Sequence, residues 1–482
     1  MQNEQSSNPQ AKASDFLNPP VQAVQNQTEN TPVSPSLPTA TAGATPPPEK
    51  RFSIKTSGIL KIIVGLISVL VIIALVYLIA TRFLGGASKE ITLNLWGIWE
   101  DGKTMQAVIA DFERQNPNVK VTYSKQDLKQ YKDRLLARSQ NDNRPDTFLF
   151  HNTWKEVLSE ILLPVPESVM SKQDFEKNYY NVIKKDLAPK GAIYGIPSNI
   201  DTLVMFVNKD LFSATGSEIP ANWNDFIDTA RGLTVKDEEG KIITSGAALG
   251  TYENVTHAPD IVSLLFLQNG VNIKNLDATS DRAIGALNFY TAFALDENNV
   301  WNASEEPSIV KFSAGKLAMY FGYSWDYYDI KAANPNINLQ IVPVPQLGDE
   351  PINLASYWAW GANLKSKNQK EALALLKLLT SKETQMKLYS EEAKGREFGE
   401  PYPRVDLAES LKDTVIYPVV LQAAYADSSF LVDAAGDNGI NKELNSYLEN
   451  AVNSINTGTS VESAFDTFKQ GVFQVLEKYG QQ

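Results

Sequence analysis

The chain has 482 residues, more than one hydrophobic core usually organises, so several folding units are expected. It contains no cysteine, which excludes disulfides, thiolate metal sites, a cysteine nucleophile and a lipid-modified cysteine, so any membrane anchor must be peptide. Residues 1–89 carry seven basic and four acidic side chains, so the net charge of −12 leaves −15 for the remainder; that field repels phosphate backbones, argues against nucleic acid as a partner, and suits a neutral or cationic ligand.

From Met1 to Glu49 the chain is dominated by Gln, Asn, Ser, Thr and Pro, with nine prolines that end as Pro46-Pro47-Pro48. Neither a helix nor a buried strand propagates through such a segment, so a disordered tail is predicted over 1–57. Ile62 to Ala80 then form an uncharged run of nineteen residues. As a helix it spans about 28 Å, the thickness of the hydrocarbon core of a bilayer, and a transmembrane helix is predicted over 58–82. Lys50, Arg51, Lys55 and Lys61 crowd its N-terminal side, whereas only Arg82 and Lys89 follow closely. The positive-inside rule therefore places the tail in the cytoplasm and everything after the linker 83–90 outside the cell, in a single-pass membrane protein. Gly85-Gly86-Ala87 resembles a signal-peptide cleavage site, but the long tail, the long apolar run and Arg82 favour an uncleaved anchor.

Beyond the linker the periodicity alternates between two and 3.6. Ile91 to Leu95 reads as a strand, and Met105, Val108, Ile109 and Phe112 recur at helical spacing until Asn116-Pro117. Val119 to Tyr123 is a second strand, Leu128, Tyr131 and Leu135 mark a second helix, and Thr147 to Phe150 is a third strand after the turn Arg144-Pro145-Asp146. Strands separated by helices pair in parallel with right-handed crossovers, and ligands gather at their C-terminal ends. Those ends are rich in aromatic residues. Trp96 and Trp99 follow the first strand, and His151-Asn152-Thr153-Trp154 follows the third. Trp325-Asp326 comes after a strand predicted from Lys316 to Phe321, and Tyr357, Trp358 and Trp360 follow Pro343-Val-Pro345. Indoles clustered at loop positions suit ligands with apolar faces and hydroxyl edges, as sugars have.

The order of these landmarks resembles the maltose-type family of extracellular solute-binding proteins, the capture subunits of ABC sugar importers. The resemblance covers roughly residues 90–482 and rests on LNLWGIWEDGKTMQAVIADFERQNPNVKV, RPDTFLFHNTW, YGIPSNIDTLVMFVNKDLF, WNDFIDTARGLT, FSAGKLAMYFGYSW and SVESAFDTFKQGVFQVLEKYG. It implies an α/β, two-lobed periplasmic-binding-protein-like fold with a hinge, here preceded by the tail and the membrane helix. Three crossing segments would join the lobes, the first near Asp201 and the second near Tyr357 to Trp360. The lobes would be assembled from 91–201 and 356–404 for one, and 202–355 and 405–482 for the other. The resemblance further implies that Trp96 to Asp101, His151 to Trp154 and Tyr252 to His257 form binding loops, and that Trp325 is an aromatic platform. The chain departs from the family's pattern in lacking an aromatic residue from Asp433 to Asn441 and in replacing the secretory signal or lipid-modified Cys by a tail and a span.

Read from their chemistry alone, Glu100, Asp101, Asp201, Glu253 and Asp326 can accept hydrogen bonds from hydroxyls, and Asn152 and Asn199 can donate and accept. Asp101 can equally cap the helix that begins near Lys103. The expected partners are a small-molecule ligand of carbohydrate type and the permease subunits of the transporter, with a monomer outside that complex. No cofactor and no metal are expected, because His151 and His257, the two histidines, stand in neither a metal nor a triad spacing. The competing readings are a carbohydrate-active hydrolase and a surface sensor or adhesin without a transport role.

Overall fold

The computed structural model describes residues 57–83 and 90–481, apart from Ala434 and Asp437. The expected tail up to residue 56 and linker residues 84–89 lie outside the described residues. The chain divides into two compact units, residues 1–84 and 85–482. In the first, helix α1 (Ser57–Phe83) runs for 27 residues of largely apolar sequence. Its side chains are described at Ile63 and over 65–77, and the large apolar ones among them are exposed. Among the described residues no helix is long and apolar enough to cross a membrane. The stretch 65–77 covers about 20 Å at the helical rise, short of a bilayer's hydrocarbon core.

The second unit opens with β1 (Ile91–Gly97), α2 (Gly102–Gln115), β2 (Val119–Lys125), α3 (Tyr131–Ser139) and β3 (Thr147–His151). The strand-helix alternation predicted for this stretch is present. On β1, Leu93 and Leu95 are fully buried at alternate positions. On α2, Met105, Val108, Ile109 and Phe112 form the buried stripe, Asp101 Oδ1 caps the Thr104 amide at 2.7 Å, and the Asn116 side chain donates to the Phe112 carbonyl before Pro117. The capping reading of Asp101 is therefore met. β1 pairs in parallel with both β2 and β3, with Leu95 opposite Thr147. β3 is buried at all five positions, as a central strand covered on both faces must be.

The chain continues through β4 (Ile196–Pro197), β5 (Asp201–Thr202), β6 (Val204–Asn208), β7 (Val235–Lys236), β8 (Ile242–Ala247), β9 (Leu317–Gly322), β10 (Leu339–Val342), β11 (Asn353–Ser356), β12 (Trp358–Ala362) and β13 (Ala426–Asp427). These strands sort into three sheets. The first has the order β2-β1-β3-β12-β4, the second β10-β6-β9-β8-β7, and the third β13-β11-β5. One buried core draws on residues 93–200 and 355–388 with Ala423, and the other on 203–354 and 398–476. The strands of the third sheet lie where the chain passes between the cores, so this small sheet joins two α/β lobes. Its last strand falls well after residue 404, where the sequence reading placed the boundary. Phe398 packs on Tyr327 and Tyr328, Leu407, Leu411 and Val419 join the second core, and the chain touches the first core again at Ala423 before β13.

Candidate functional site

On the first lobe, antiparallel pairing of β12 with β3 sets Trp358 opposite His151. The Trp358 ring meets those of Trp154 at 5.1 Å, His151 at 5.3 Å and Trp99 at 5.5 Å, all near edge-to-face, the favoured geometry for aromatic rings. Trp99 is 41% exposed, whereas Trp358 is 4% exposed and Trp154 is fully buried. Trp99 is thus the surface of this group and the others are its backing. His151 shares its two ring nitrogens with Thr153 Oγ1 at 2.8 Å and Ser356 Oγ at 3.0 Å. Burial, with Lys132 adding to it, holds its pKa down to about 3, so the ring is neutral. Asn199 accepts from the Trp358 amide at 3.1 Å and donates to Glu400 Oε2 at 2.9 Å. Asn152 donates to Asp186 Oδ2 at 2.9 Å, and the Tyr357 hydroxyl reaches the same oxygen at 2.8 Å. Trp96 is half-buried against Tyr131 at 6.3 Å.

Beside Trp99, Glu100 is only 7% exposed, and its Oε2 has no hydrogen-bond partner. Burial, reinforced by Glu400, pushes its pKa up to about 7. Arg396 donates to both Glu392 and Glu400 at 2.8 Å. Burial and the Glu400 and Glu100 charges still push Glu392 up to about 8. Together with Trp99, Asp101 and Lys125 these groups line a cavity of about 400 Å³. The i,i+4 spacing Glu392, Arg396, Glu400 was visible in the sequence but passed unused, because nothing local says that Glu100 would meet it.

On the second lobe, Trp325 follows β9 and stacks on Tyr323, 4.4 Å between centroids and 16° between planes. Trp325 is half-buried and Tyr323 fully buried. Between them, Ser324 donates from its amide to Asp201 Oδ2 at 3.2 Å, and its hydroxyl bonds the same carboxylate. Asp201 is fully buried in the three-stranded junction, and burial, with Glu400 contributing, holds its carboxyl well above the usual range. Asp326 accepts from His257 Nε2 at 2.9 Å, the Tyr320 hydroxyl at 2.9 Å and the Tyr323 amide at 3.1 Å. His257 Nδ1 lies 2.8 Å from Asp433 Oδ2. Burial disfavours charge on His257, but Asp433 and Asp326 raise its pKa well above the usual histidine value, so it is an imidazolium. Tyr252 donates to the Asn445 carbonyl at 3.2 Å, and Glu253 is exposed.

The expected ligand contacts thus divide into two sets. Trp99, Glu100, Asp101, Tyr252, Glu253 and Trp325 present surface or line a cavity. Asp201, Asp326, Tyr357 and Trp360 are buried, and Asp201, Asp326 and Tyr357 hydrogen-bond other parts of the protein. Trp154 and Trp358 are buried too, Trp358 against Trp99 and Trp154 against Trp358. Two further cavities run between the lobes. One of about 580 Å³ is lined by Leu128 and Lys129 on one side and Tyr252, His257 and Asp433 on the other. The second, of about 590 Å³, lies between Asn152 and Asp186 and the apolar pair Phe266 and Phe430.

The state of Glu100 sets a pH dependence. Below about pH 4.5 both folded and unfolded chains carry its proton; between there and about 7 the unfolded chain releases it while the folded one keeps it, so stability falls as pH rises through that window. Chemical denaturation from pH 4.5 to 8 should show this slope. Glu100→Gln should flatten it and gain stability at pH 8 by at most about 3 kcal/mol, whereas an unchanged slope in the variant would contradict the assignment.

The description "bacterial extracellular solute-binding protein" belongs to the family whose model matches residues 96–386. The multiple sugar-binding protein of Streptococcus mutans is 23% identical over 304 residues, covering 59% of this chain and 70% of the relative. A maltooligosaccharide ABC transporter solute-binding lipoprotein of Streptococcus pneumoniae is 24% identical over 315 residues, covering 62% and 70%. Among solved structures, a cyclo/maltodextrin-binding protein complexed with maltotetraose superposes with a TM-score of 0.66 at 18% identity, covering 81% of this chain and 99% of that one. The two α/β lobes, the three-stranded junction between them and this match over more than half of the sequence establish that the chain belongs to the bacterial extracellular solute-binding protein family.

Proposed function

We propose that this chain captures a carbohydrate between its two lobes and delivers it to the permease of an ABC importer, held at the outer face of the cell membrane by the apolar sequence run from Ile62 to Ala80. The observation that carries the reading is that each lobe offers one partly exposed indole backed by further rings, Trp99 on Trp358 and Trp325 on Tyr323. A sugar ring stacks its apolar face on such a surface, with its hydroxyl edge toward the Glu100 carboxyl beside Trp99, whose Oε2 is buried without a hydrogen-bond partner. The relatives' names, which speak of multiple sugars and maltooligosaccharides, support the same class of ligand. The reading is of binding without conversion: the sugar leaves as it came.

The anchoring part of the proposal rests on the run from Ile62 to Ala80 and on the basic residues before it. In a chain without cysteine, a peptide span takes the place of a lipid. Protease added to intact cells should remove the binding lobes and leave a protected N-terminal fragment; digestion of the N-terminal tail from outside would reverse the orientation.

Maltooligosaccharides should raise the melting temperature of the full-length chain and be recovered intact. Trp99→Ala and Trp325→Ala should each weaken their binding by about tenfold or more, which is about 1.4 kcal/mol, with denaturation midpoints close to that of the parent. Trp360→Ala should instead cost about 3–5 kcal/mol of stability, as loss of a buried indole does. Native affinity in both indole variants would remove the stacking surfaces from the site, and slow cleavage of the sugar would favour a hydrolase.

A further inference from the structure

The second lobe gathers a group of side chains beyond the two indole surfaces on which the capture reading rests. His257 sits one residue before helix Ala258–Gln268 with φ of 61°, in the left-handed region where a side chain other than glycine is held at a cost. Asp260 comes from the first turn of that helix, and Asp433 arrives from the far end of the chain after the third passage between the lobes. Ligand atoms of these three residues all lie within 4.8 Å of one another. His257 Nδ1 and Asp433 Oδ2 are 2.8 Å apart, and the Asp433 amide donates to Asp260 Oδ2 at 3.0 Å. Asp433 is 35% exposed at its side chain, while the other two are buried. Asn445 lines the same cavity as His257 and Asp433, is itself 6% exposed, and has an Oδ1 that is buried without a hydrogen-bond partner.

We propose that His257, Asp260 and Asp433, with Asn445 Oδ1 as a further oxygen, bind a divalent cation of the zinc or manganese class in the wall of the second lobe. Two ligands about 2.1 Å from one ion stand about 3.0 Å apart at right angles and about 3.4 Å apart at the tetrahedral angle, so His257 Nδ1 and Asp433 Oδ2, now 2.8 Å apart, need to part by about half an ångström to admit the ion. The other ring nitrogen donates to the buried carboxylate of Asp326, which is itself fixed by Tyr320 and the Tyr323 amide. A carboxylate behind a histidine is the usual support of a metal-ligating imidazole, since it fixes the tautomer and raises the basicity of the free nitrogen. One nitrogen and two or three oxygens select an ion between the hard calcium and magnesium type and the thiolate-seeking type. A divalent ion also answers the crowding of the Asp260, Asp326 and Asp433 carboxylates around His257. The ion would hold Asp433 against the helix. The chain beyond Asp433 reaches the first lobe, where Lys132 Nζ donates to the Asn438 carbonyl at 2.6 Å and Thr153 Oγ1 to Asn441 Oδ1 at 3.2 Å.

The test uses the tag-free full-length chain in detergent, stripped by a chelator and titrated calorimetrically with Zn²⁺, Mn²⁺, Ca²⁺ and Mg²⁺. The chain lacks cysteine and its other histidine, His151, is buried with both nitrogens engaged, so histidine-dependent binding reports on His257. One Zn²⁺ or Mn²⁺ should bind per chain with a dissociation constant below about 100 µM. Ca²⁺ and Mg²⁺ should bind far more weakly. Asp433→Asn and His257→Gln should abolish the site, and Asp326→Asn, acting through the histidine, should weaken it about 10–100-fold. Should His257→Gln fail to fold, the exposed Asp433 and the Asn445→Ala variant still decide. Absence of a single site in the parent, or equal affinity in Asp433→Asn and Asn445→Ala, overturns the proposal. No sugar enters the experiment, so either result leaves the capture reading where it stands.

Discussion

A fully buried carboxylate in the junction between the lobes, Asp201, is the point on which the two lobes depend. It stands on β5, where Asp201 pairs with Ser356 of β11, and it accepts the amide and hydroxyl of Ser324 in the loop that carries Trp325. Ser356 in turn shares a hydrogen with His151, whose ring lies against Trp358 behind Trp99. A chain of hydrogen bonds and ring contacts therefore runs from the aromatic surface of one lobe through the junction to that of the other. Buried polar groups of this kind are costly to leave unpaired, so a change in the angle between lobes must keep these bonds or replace them together. Such a junction favours a small number of discrete arrangements over continuous bending.

Charge is organised around the same junction. Glu100, Glu392 and Glu400 surround Arg396, and Asn199 ties Glu400 to the Trp358 backbone. Arg396 also lies over the ring of Tyr328, 5.0 Å from its centroid, and so links the first lobe's return segment to the second lobe. Glu100 is the member of this group with an oxygen left over, and it lies next to the one strongly exposed indole of that wall. A hydroxyl-bearing ligand would satisfy the oxygen and cover the ring in one step, which is why binding and closure are expected to be coupled.

Most of the fold was legible because its elements follow simple periodicities. β1, α2 and β3 bury the residues that their spacing marks, β2 buries Val119 and half-buries Val121 and Tyr123, α3 buries Tyr131 and Leu135 but begins after Leu128, and β9 falls where Lys316 to Phe321 predicts a strand. The strand-end aromatics were legible as a group, but their individual fates were not. Trp99 and Trp360 look alike in sequence; the first is exposed and the second buried because β12 inserts antiparallel between β3 and β4, a pairing of residues about two hundred positions apart. The same limit hid the partner of His257. Nothing near it in sequence points to Asp433, which only the third passage between the lobes brings within 2.8 Å. Residues 398–420 are helical turns and loops without a clear period, and that their apolar side chains join the second core shows only in three dimensions.

Closure about the three-stranded junction is the central claim, and energy transfer between one dye on each lobe tests it directly. Because the chain has no cysteine, Asp127→Cys and Glu306→Cys, both at exposed positions and one on each lobe, create a unique labelling pair. On the full-length chain, saturating maltotetraose should shift the population to a state of higher transfer efficiency, and removal of the sugar should restore the original one. A distribution that stays the same when calorimetry shows the sugar bound would contradict the account, because the ligand would then occupy a rigid pocket and the junction would not be a hinge.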